Sequence, residues 1–132
     1  MYGRVIRFLF CIAVSLLAAF AVAADLSPRT STLAGVTLKA TPRSLTGAVW
    51  EFELMFDTHT QNLGDDVAKS AVLVADGGAT HTALEWQGDP PGGHHRKGVL
   101  RFNPVSPLPQ AIELRIQRSG EPAPRSFRWQ LR

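Results

Sequence analysis

The fold is decided by a stretch in the first half of the chain, which reads Trp50-Glu51-Phe52-Glu53-Leu54-Met55-Phe56-Asp57. Large apolar side chains occupy every second position, and mostly charged side chains lie between them. Because side chains alternate between the two faces of a β-strand, this pattern predicts a strand with one aromatic face in the core and one face in water. Burial of each large side chain stabilises a fold by about 1.5–3 kcal/mol, so we expect this strand to anchor the core.

Shorter stretches on both sides of this strand predict further strands. They lie near 36–41, 70–75, 80–86, 99–102, 111–118 and 126–131. Prolines, glycines and aspartates separate them, and Asp76-Gly77-Gly78 is typical of a β-hairpin turn. Seven short strands without an amphipathic helix predict an all-β fold, a seven-stranded antiparallel immunoglobulin-like β-sandwich. The single cysteine excludes the disulfide of many immunoglobulin domains, so the likeness is one of architecture.

The beginning of the chain has the pattern of a cleaved signal peptide. Arg4 and Arg7 precede an apolar run over 8–20, and Ala21-Val22-Ala23 supplies small residues for cleavage after position 23 or 24. This run is shorter than the roughly 20 apolar residues of a membrane span. We therefore expect a periplasmic or secreted protein whose mature chain has no membrane span.

This interpretation divides the chain into three segments. Residues 1–24 are the signal peptide, and 35–132 form the β-sandwich domain. The stretch 25–34 between them is polar and contains Ser27-Pro28, which predicts a disordered N-terminal arm. Because Cys11 lies within the signal peptide, the mature chain has no disulfide and its core alone must hold the fold.

The charge balance limits the classes of partner. The full chain has 14 Lys and Arg against 11 Asp and Glu. Removal of Arg4 and Arg7 with the signal peptide leaves 12 basic against 11 acidic side chains. A balance so close to neutral predicts no nucleic acid or other polyanionic partner.

Three of the four histidines fall in two segments, Asp57-Thr58-His59 and Gly92-Gly93-His94-His95. If consecutive strands run antiparallel, connecting loops alternate between the two ends of the sandwich. His59, His94 and His95 then share one end, and His81 lies at the other. Imidazole nitrogens from separate loops are suitable ligands for zinc, copper or nickel.

We assign these residues provisional roles in a metal site. His59 and His94 are the expected ligands, His95 is a ligand or an orienting residue, and Asp57 is a partner that orients an imidazole or binds metal itself. Gly92 and Gly93 would have to turn the chain for both adjacent histidines to face one site. Copper storage through sulfur is disfavoured, because Met55 is the one soft ligand of the mature chain.

The same residues also fit a role without metal. Motifs such as HxH and HExxH are absent from the sequence, and the loop resembles a solvated turn in which the paired histidines beside Arg96 and Lys97 are exposed. His95 could instead bond to Asp57 or to a backbone carbonyl and so lock the loop to the sheet. Trp86 could be a lid on the core or an exposed anchor. A glycine-flanked serine nucleophile is also absent from the sequence, and we expect no enzymatic activity.

Several of these segments carry a resemblance to a protein group. They are Phe56-Asp57-Thr58-His59, Trp86-Gln87-Gly88, and the run from Gly92 to Leu100. With them the chain, from about Val36 to Leu131, resembles a group of small uncharacterised exported bacterial and archaeal β domains. The resemblance implies an exported β domain and suggests that the two histidine segments belong together.

The sequence therefore predicts an exported small β-sandwich protein that binds a divalent transition metal, copper or zinc. The predicted ligand set consists of His59, His94, His95 and Asp57 at one end of the sandwich. The alternative is a metal-free structural or protein-interaction module of the cell envelope, with an envelope protein as its partner.

Overall fold

The structure is a computed structural model that describes residues 15–18 and 23–132. Most of the predicted signal peptide, including Arg4, Arg7 and Cys11, lies outside the described residues. In the part of the chain that is described, no helix has the length and apolar character needed to cross a membrane.

Residues 23–132 contain nine strands and two short helical turns. The strands are β1 (Arg29–Leu33), β2 (Val36–Ser44), β3 (Trp50–Thr58), β4 (Ala71–Val74), β5 (Thr80–Thr82), β6 (Glu85–Gly88), β7 (His95–Phe102), β8 (Ala111–Ile116) and β9 (Arg125–Gln130). One turn of α-helix, α1 (Val67–Ser70), precedes β4, and a 3-10 turn (Asp76–Gly78) joins β4 to β5. The hairpin predicted at Asp76-Gly77-Gly78 is therefore confirmed.

The strands form two antiparallel sheets that enclose one core. The first sheet has the order β1-β2-β3-β7-β6, and the second has the order β5-β4-β8-β9. Buried side chains of both sheets make up a single apolar cluster between them. The prediction of an all-β, sandwich-like fold is confirmed.

Strand β3 occupies the centre of the first sheet, as its alternation predicts. Trp50, Phe52, Leu54 and Phe56 are buried, and the residues between them face outward. The ring centroid of Phe52 lies 5.7 Å from that of Phe102 in β7 and 5.7 Å from that of Trp129 in β9. Phe52 thus connects the two sheets through the middle of the core.

The structure differs from the sequence-based expectation in strand number. Nine strands replace the predicted seven, partly because the stretch 80–86 is divided between the sheets. Strand β5 pairs with β4 in the second sheet, whereas β6 pairs with β7 in the first. The chain crosses between them at Ala83 and Leu84, and the Leu84 N–H then donates to the carbonyl of Arg101 at 2.7 Å.

The other additional strand is β1, and it corrects the prediction of a disordered arm over 25–34. Residues 29–33 pair along their whole length with β2. None of these five residues is buried, so an apolar face is not what orders them. Instead, side chains of β9 donate hydrogen bonds to backbone carbonyls of this segment.

Candidate functional site

Antiparallel strands bring the two histidine segments together at one edge of the first sheet. Strand β3 ends where β7 begins, and Asp57 lies directly opposite His95. The Thr58 N–H donates to the carbonyl of His94 at 2.9 Å. We call this edge, residues 57–63 together with 92–95, the histidine rim. His81 lies elsewhere, in a cleft that Val105 and Pro107 also line.

The backbone holds the two loops of the histidine rim against each other. The Leu63 N–H donates to the carbonyl of Gly93 at 3.1 Å, and the Gly92 N–H donates to the carbonyl of Leu63 at 2.8 Å. The Gly93 N–H donates to Oδ1 of Asn62 at 3.0 Å. Gly92 and Gly93 have φ angles of 112° and 75°, which glycine adopts readily. The rim is therefore built by main-chain hydrogen bonds and two glycines.

Asp57 and His95 form the one direct side-chain contact among the predicted site residues in the described part of the chain. Nδ1 of His95 donates to Oδ1 of Asp57, because an ionised carboxylate can only accept. Both side chains lie on the outer face of the sheet, where that of His95 is 74% exposed and that of Asp57 49%. The bond to Nδ1 leaves Nε2 of His95 as the nitrogen available to a ligand.

His59 and His94 border this pair without joining it. His59 lies two residues after Asp57, and His94 directly precedes His95. Both histidines are exposed. Among residues 15–18 and 23–132, no group of three or more His, Cys, Asp or Glu side chains is arranged to hold a metal ion. The structure thus unites Asp57 with His95 and leaves the other two imidazoles in solvent beside them.

Arg96 is a residue of the site that sequence analysis missed. It belongs to the loop that resembles a solvated turn in the sequence, yet it is only 3% exposed. Its Nη1 donates to the carbonyls of Leu63 and Asp65 at 3.2 and 2.6 Å, and its Nε donates to that of Asp89 at 3.2 Å. Burial lowers the pKa of Arg96, and nearby carboxylates oppose this effect. Arg96 therefore connects the loop that follows β3 with the loop that precedes β7, from the inner face of the sheet.

The alternation of inward and outward side chains along β7 is the sequence signal that indicates this burial. Arg96 has the same parity in β7 as Gly98, Leu100 and Phe102, which all face inward. Once His95 is recognised as the first residue of the strand, the inward position of Arg96 follows. Composition alone does not indicate the burial of Arg96, because an Arg-Lys pair in a glycine-rich loop is typical of a solvent-exposed segment.

Trp86 is a lid over the core beside the histidine rim. Its ring meets that of Phe56 at 6.4 Å in an edge-to-face arrangement, and Cζ of Arg96 lies 5.7 Å from its centroid. Nε1 of Trp86 donates to the carbonyl of Asp89 at 3.0 Å. Of the two roles open from the sequence, the lid is the one observed.

A buried cluster of ion pairs joins the loop after β3 to the loop between β8 and β9. Nε of Arg118 lies 2.8 Å from Oδ2 of Asp65, and Arg125 holds Glu121 with two hydrogen bonds of 2.8 and 2.7 Å. The side chains of Arg118, Arg125 and Glu121 are 3%, 2% and 5% exposed. The hydrogen bonds from Arg125 hold the pKa of Glu121 below its ordinary value. This cluster keeps the loop after β8 in place.

Two outward-facing arginines of the late strands are paired with acidic side chains. Nε of Arg115 lies 2.9 Å from Oε1 of Glu113, and Nη1 of Arg101 lies 2.8 Å from Oε1 of Glu85. In each of these two pairs a carboxylate neutralises the charge of one arginine. They are consistent with the near-neutral balance expected from the sequence.

Known proteins provide no further assignment of this site. Comparison of the chain with protein-family models, with curated proteins and with solved structures found no match.

Proposed function

We propose that the protein is an exported β-sandwich that binds a divalent transition metal, copper or zinc, at the histidine rim. Export is supported by the signal-peptide pattern over 1–24. In this proposal His95 is the principal ligand, Asp57 orients it, and His94 and His59 complete the ligand set.

The observation that carries the proposal is the contact between Asp57 and His95. Metal-binding histidines commonly donate their second ring N–H to a carboxylate, which fixes the tautomer and raises the basicity of the other nitrogen. The bond from Nδ1 of His95 to Asp57 is of this kind, and the ring that carries Nε2 is exposed. An imidazole held in this way is prepared to bind a cation from solvent.

The neighbouring histidines supply the additional nitrogens that zinc or copper requires. A closed zinc site takes four ligands, and an open one takes three with water as the fourth. The backbone bond between Thr58 and His94 keeps both loops beside His95, and the rings of His59 and His94 are exposed and therefore free to rotate. Metal binding would accordingly require rotation of side chains around a fixed backbone.

Metal titration followed by thermal unfolding tests this proposal. A metal that binds only the folded state raises the melting temperature by mass action, so we expect Zn²⁺ or Cu²⁺ to raise that of the native protein. His95→Ala should abolish the response, and Asp57→Asn should weaken metal affinity by about 10–100-fold. His81→Ala is the matched control, because His81 lies outside the rim and should not affect binding.

A second candidate is a metal-free structural or interaction module of the cell envelope. The rim loops are already locked by backbone hydrogen bonds and by Arg96, so their order does not depend on a metal. Rigid loops at the end of a sandwich are a common platform for binding other proteins. If neither Zn²⁺, Cu²⁺ nor Ni²⁺ changes the melting temperature of the native protein, this second candidate replaces the first.

We further assign the sandwich to the immunoglobulin-like architecture. With β1 set aside, the sheet orders β2-β3-β7-β6 and β5-β4-β8-β9 correspond to strands ABED and C′CFG of that architecture. This correspondence supports the assignment and makes β1 an addition at the edge of the ABED sheet. The assignment concerns architecture and carries no statement of function.

A further inference from the structure

Strand β1 is a peripheral element that is held by another part of the chain. Among the strands of residues 23–132, it pairs with β2 alone. Further hydrogen bonds to β1 and to the residues just before it come from β9 in the opposite sheet. Arg125 donates to the carbonyls of Ser31 and Leu33 at 2.9 and 3.0 Å. Trp129 donates from Nε1 to the carbonyl of Ser27 at 2.8 Å.

The receptor for β1 is rigid and recognises main-chain groups. The bidentate pairing with Glu121 fixes the guanidinium of Arg125, and both side chains are almost fully buried. Because the donors bind carbonyl oxygens and not particular side chains, they accept a β1 strand of any copy of the chain equally well. The receptor on β9 therefore does not distinguish its own β1 from that of a second copy.

The turn between β1 and β2 is strained in the closed hairpin. Leu33 pairs with Val36, so the turn consists of Ala34 and Gly35, with φ angles of 50° and 76°. Alanine is unfavourable in this left-handed region because its Cβ approaches a backbone oxygen. The closed turn is held by Gln61, whose Nε2 donates to the carbonyl of Ala34. Opening the turn would release the strain at Ala34.

We propose that two copies of the chain exchange their β1 strands to form a dimer. Each copy then presents its β1 to β2 and β9 of the other, and every contact of β1 described above is retained. The strained turn opens into an extended connection in both copies. Short hinge loops under strain favour exchange of a terminal element between identical chains. This proposal does not depend on metal binding at the histidine rim.

A pair of cysteines can report directly whether β1 belongs to the same chain. Thr32 and Thr37 lie opposite each other in β1 and β2, with their hydroxyl oxygens 3.0 Å apart. The variant Thr32→Cys/Thr37→Cys is expressed from the full-length chain in a Cys11→Ser background and oxidised across a concentration series. Exchange predicts a covalent dimer on a non-reducing gel. Disulfides confined to single chains at every concentration would overturn the proposal, including where the protein dimerises through another surface.

Two hinge variants and a control test the physical cause of the exchange. Ala34→Gly removes the strain of the closed turn and should raise the dimer dissociation constant by about tenfold or more. Gln61→Leu removes the bond that holds the turn closed and should lower this constant. Lys39→Ala, on the outer face of the same hairpin, should leave it unchanged. Sedimentation equilibrium measures all three, and an Ala34→Gly protein that dimerises as tightly as the native one would contradict the proposal.

Discussion

Gly88 and Gly98 face each other across β6 and β7 so closely that neither position has room for a side chain. A Cβ on Gly98 would lie 2.6 Å from Cα of Gly88, and also 2.6 Å from the ring of Trp86. The missing side chains make space for the Trp86 indole to lie across both strands. The glycines therefore serve the packing of the lid rather than the flexibility of a loop.

We predict that Gly98→Ala lowers the free energy of unfolding by about 1–3 kcal/mol, because the added methyl group must displace backbone or the Trp86 ring. Urea unfolding followed by tryptophan fluorescence measures the change. Gly64→Ala is the control, since the nearest atom to its Cβ would be the side-chain nitrogen of Asn62 at 3.4 Å, an ordinary van der Waals distance. Equal effects of the two substitutions would contradict this explanation.

Arg96→Ala should be one of the most damaging changes near the histidine rim. It removes one donor from each of three backbone carbonyls: those of Leu63 and Asp89 keep their bonds from Gly92 and Trp86, but that of Asp65 loses its bond from Arg96. An unsatisfied buried polar group costs about 1–3 kcal/mol, and the lost contact with Trp86 adds to this cost. We expect a total loss of stability of about 3 kcal/mol or more, measured by chemical denaturation. Lys97→Ala, the next residue and exposed, should change stability by no more than about 0.5 kcal/mol.

Phe52→Ala should lower the free energy of unfolding by about 3–5 kcal/mol, because it leaves a cavity between the two sheets. Phe52 is fully buried against Phe102 and Trp129. Met55→Ala, on the outer face of the same strand, should have a much smaller effect. A difference of less than about 1 kcal/mol between the two variants in calorimetry would show that β3 does not anchor the core.

Acid should weaken the loop after β8 through Glu121. Its folded-state pKa is below the ordinary value of 4.5, mainly because Arg125 donates to it. The carboxylate therefore contributes stability that is fully present above pH 4.5 and is lost as pH falls through the lowered folded-state pKa. At neutral pH, Glu121→Gln should cost about 3–5 kcal/mol, because it leaves buried arginines without this partner.

The test is the difference in urea stability between native protein and Glu121→Gln at pH 7 and at pH 3. We expect the difference to shrink at the lower pH, because the carboxylate of the unfolded chain takes up a proton there, whereas the bonds from Arg125 oppose protonation in the folded state. The same difference at both pH values would refute a role for its ionisation.

The sequence is a good guide where side-chain parity alone determines position. Alternation in 50–57 predicts the central strand correctly, and strand direction correctly predicts that the segments of His59 and His94 meet. The contact of His95 with Asp57 is one of the alternatives that the sequence leaves open, and it follows from their opposite positions in β3 and β7. These features depend on local period and strand direction, which the sequence expresses directly.

Features that depend on contacts distant in sequence were missed. Strand β1 has no apolar face, and its ties to Arg125 and Trp129 cannot be read from residues 25–34 alone. The burial of Arg96 depends on carbonyls that converge from the preceding loops. Charged residues are usually exposed, so only the three-dimensional arrangement identifies the exceptions.

The arginine that holds β1 also sets the order in which the chain can fold. Arg125 binds the carbonyls of Ser31, Leu33 and Val36 across separations of 94, 92 and 89 residues. A growing chain therefore has to extend past Arg125 before the β1–β2 hairpin can dock against the opposite sheet through these bonds. Until then the hairpin lacks its cationic receptor, so closure of this side of the sandwich waits for synthesis of β9 and couples the first hairpin to that strand.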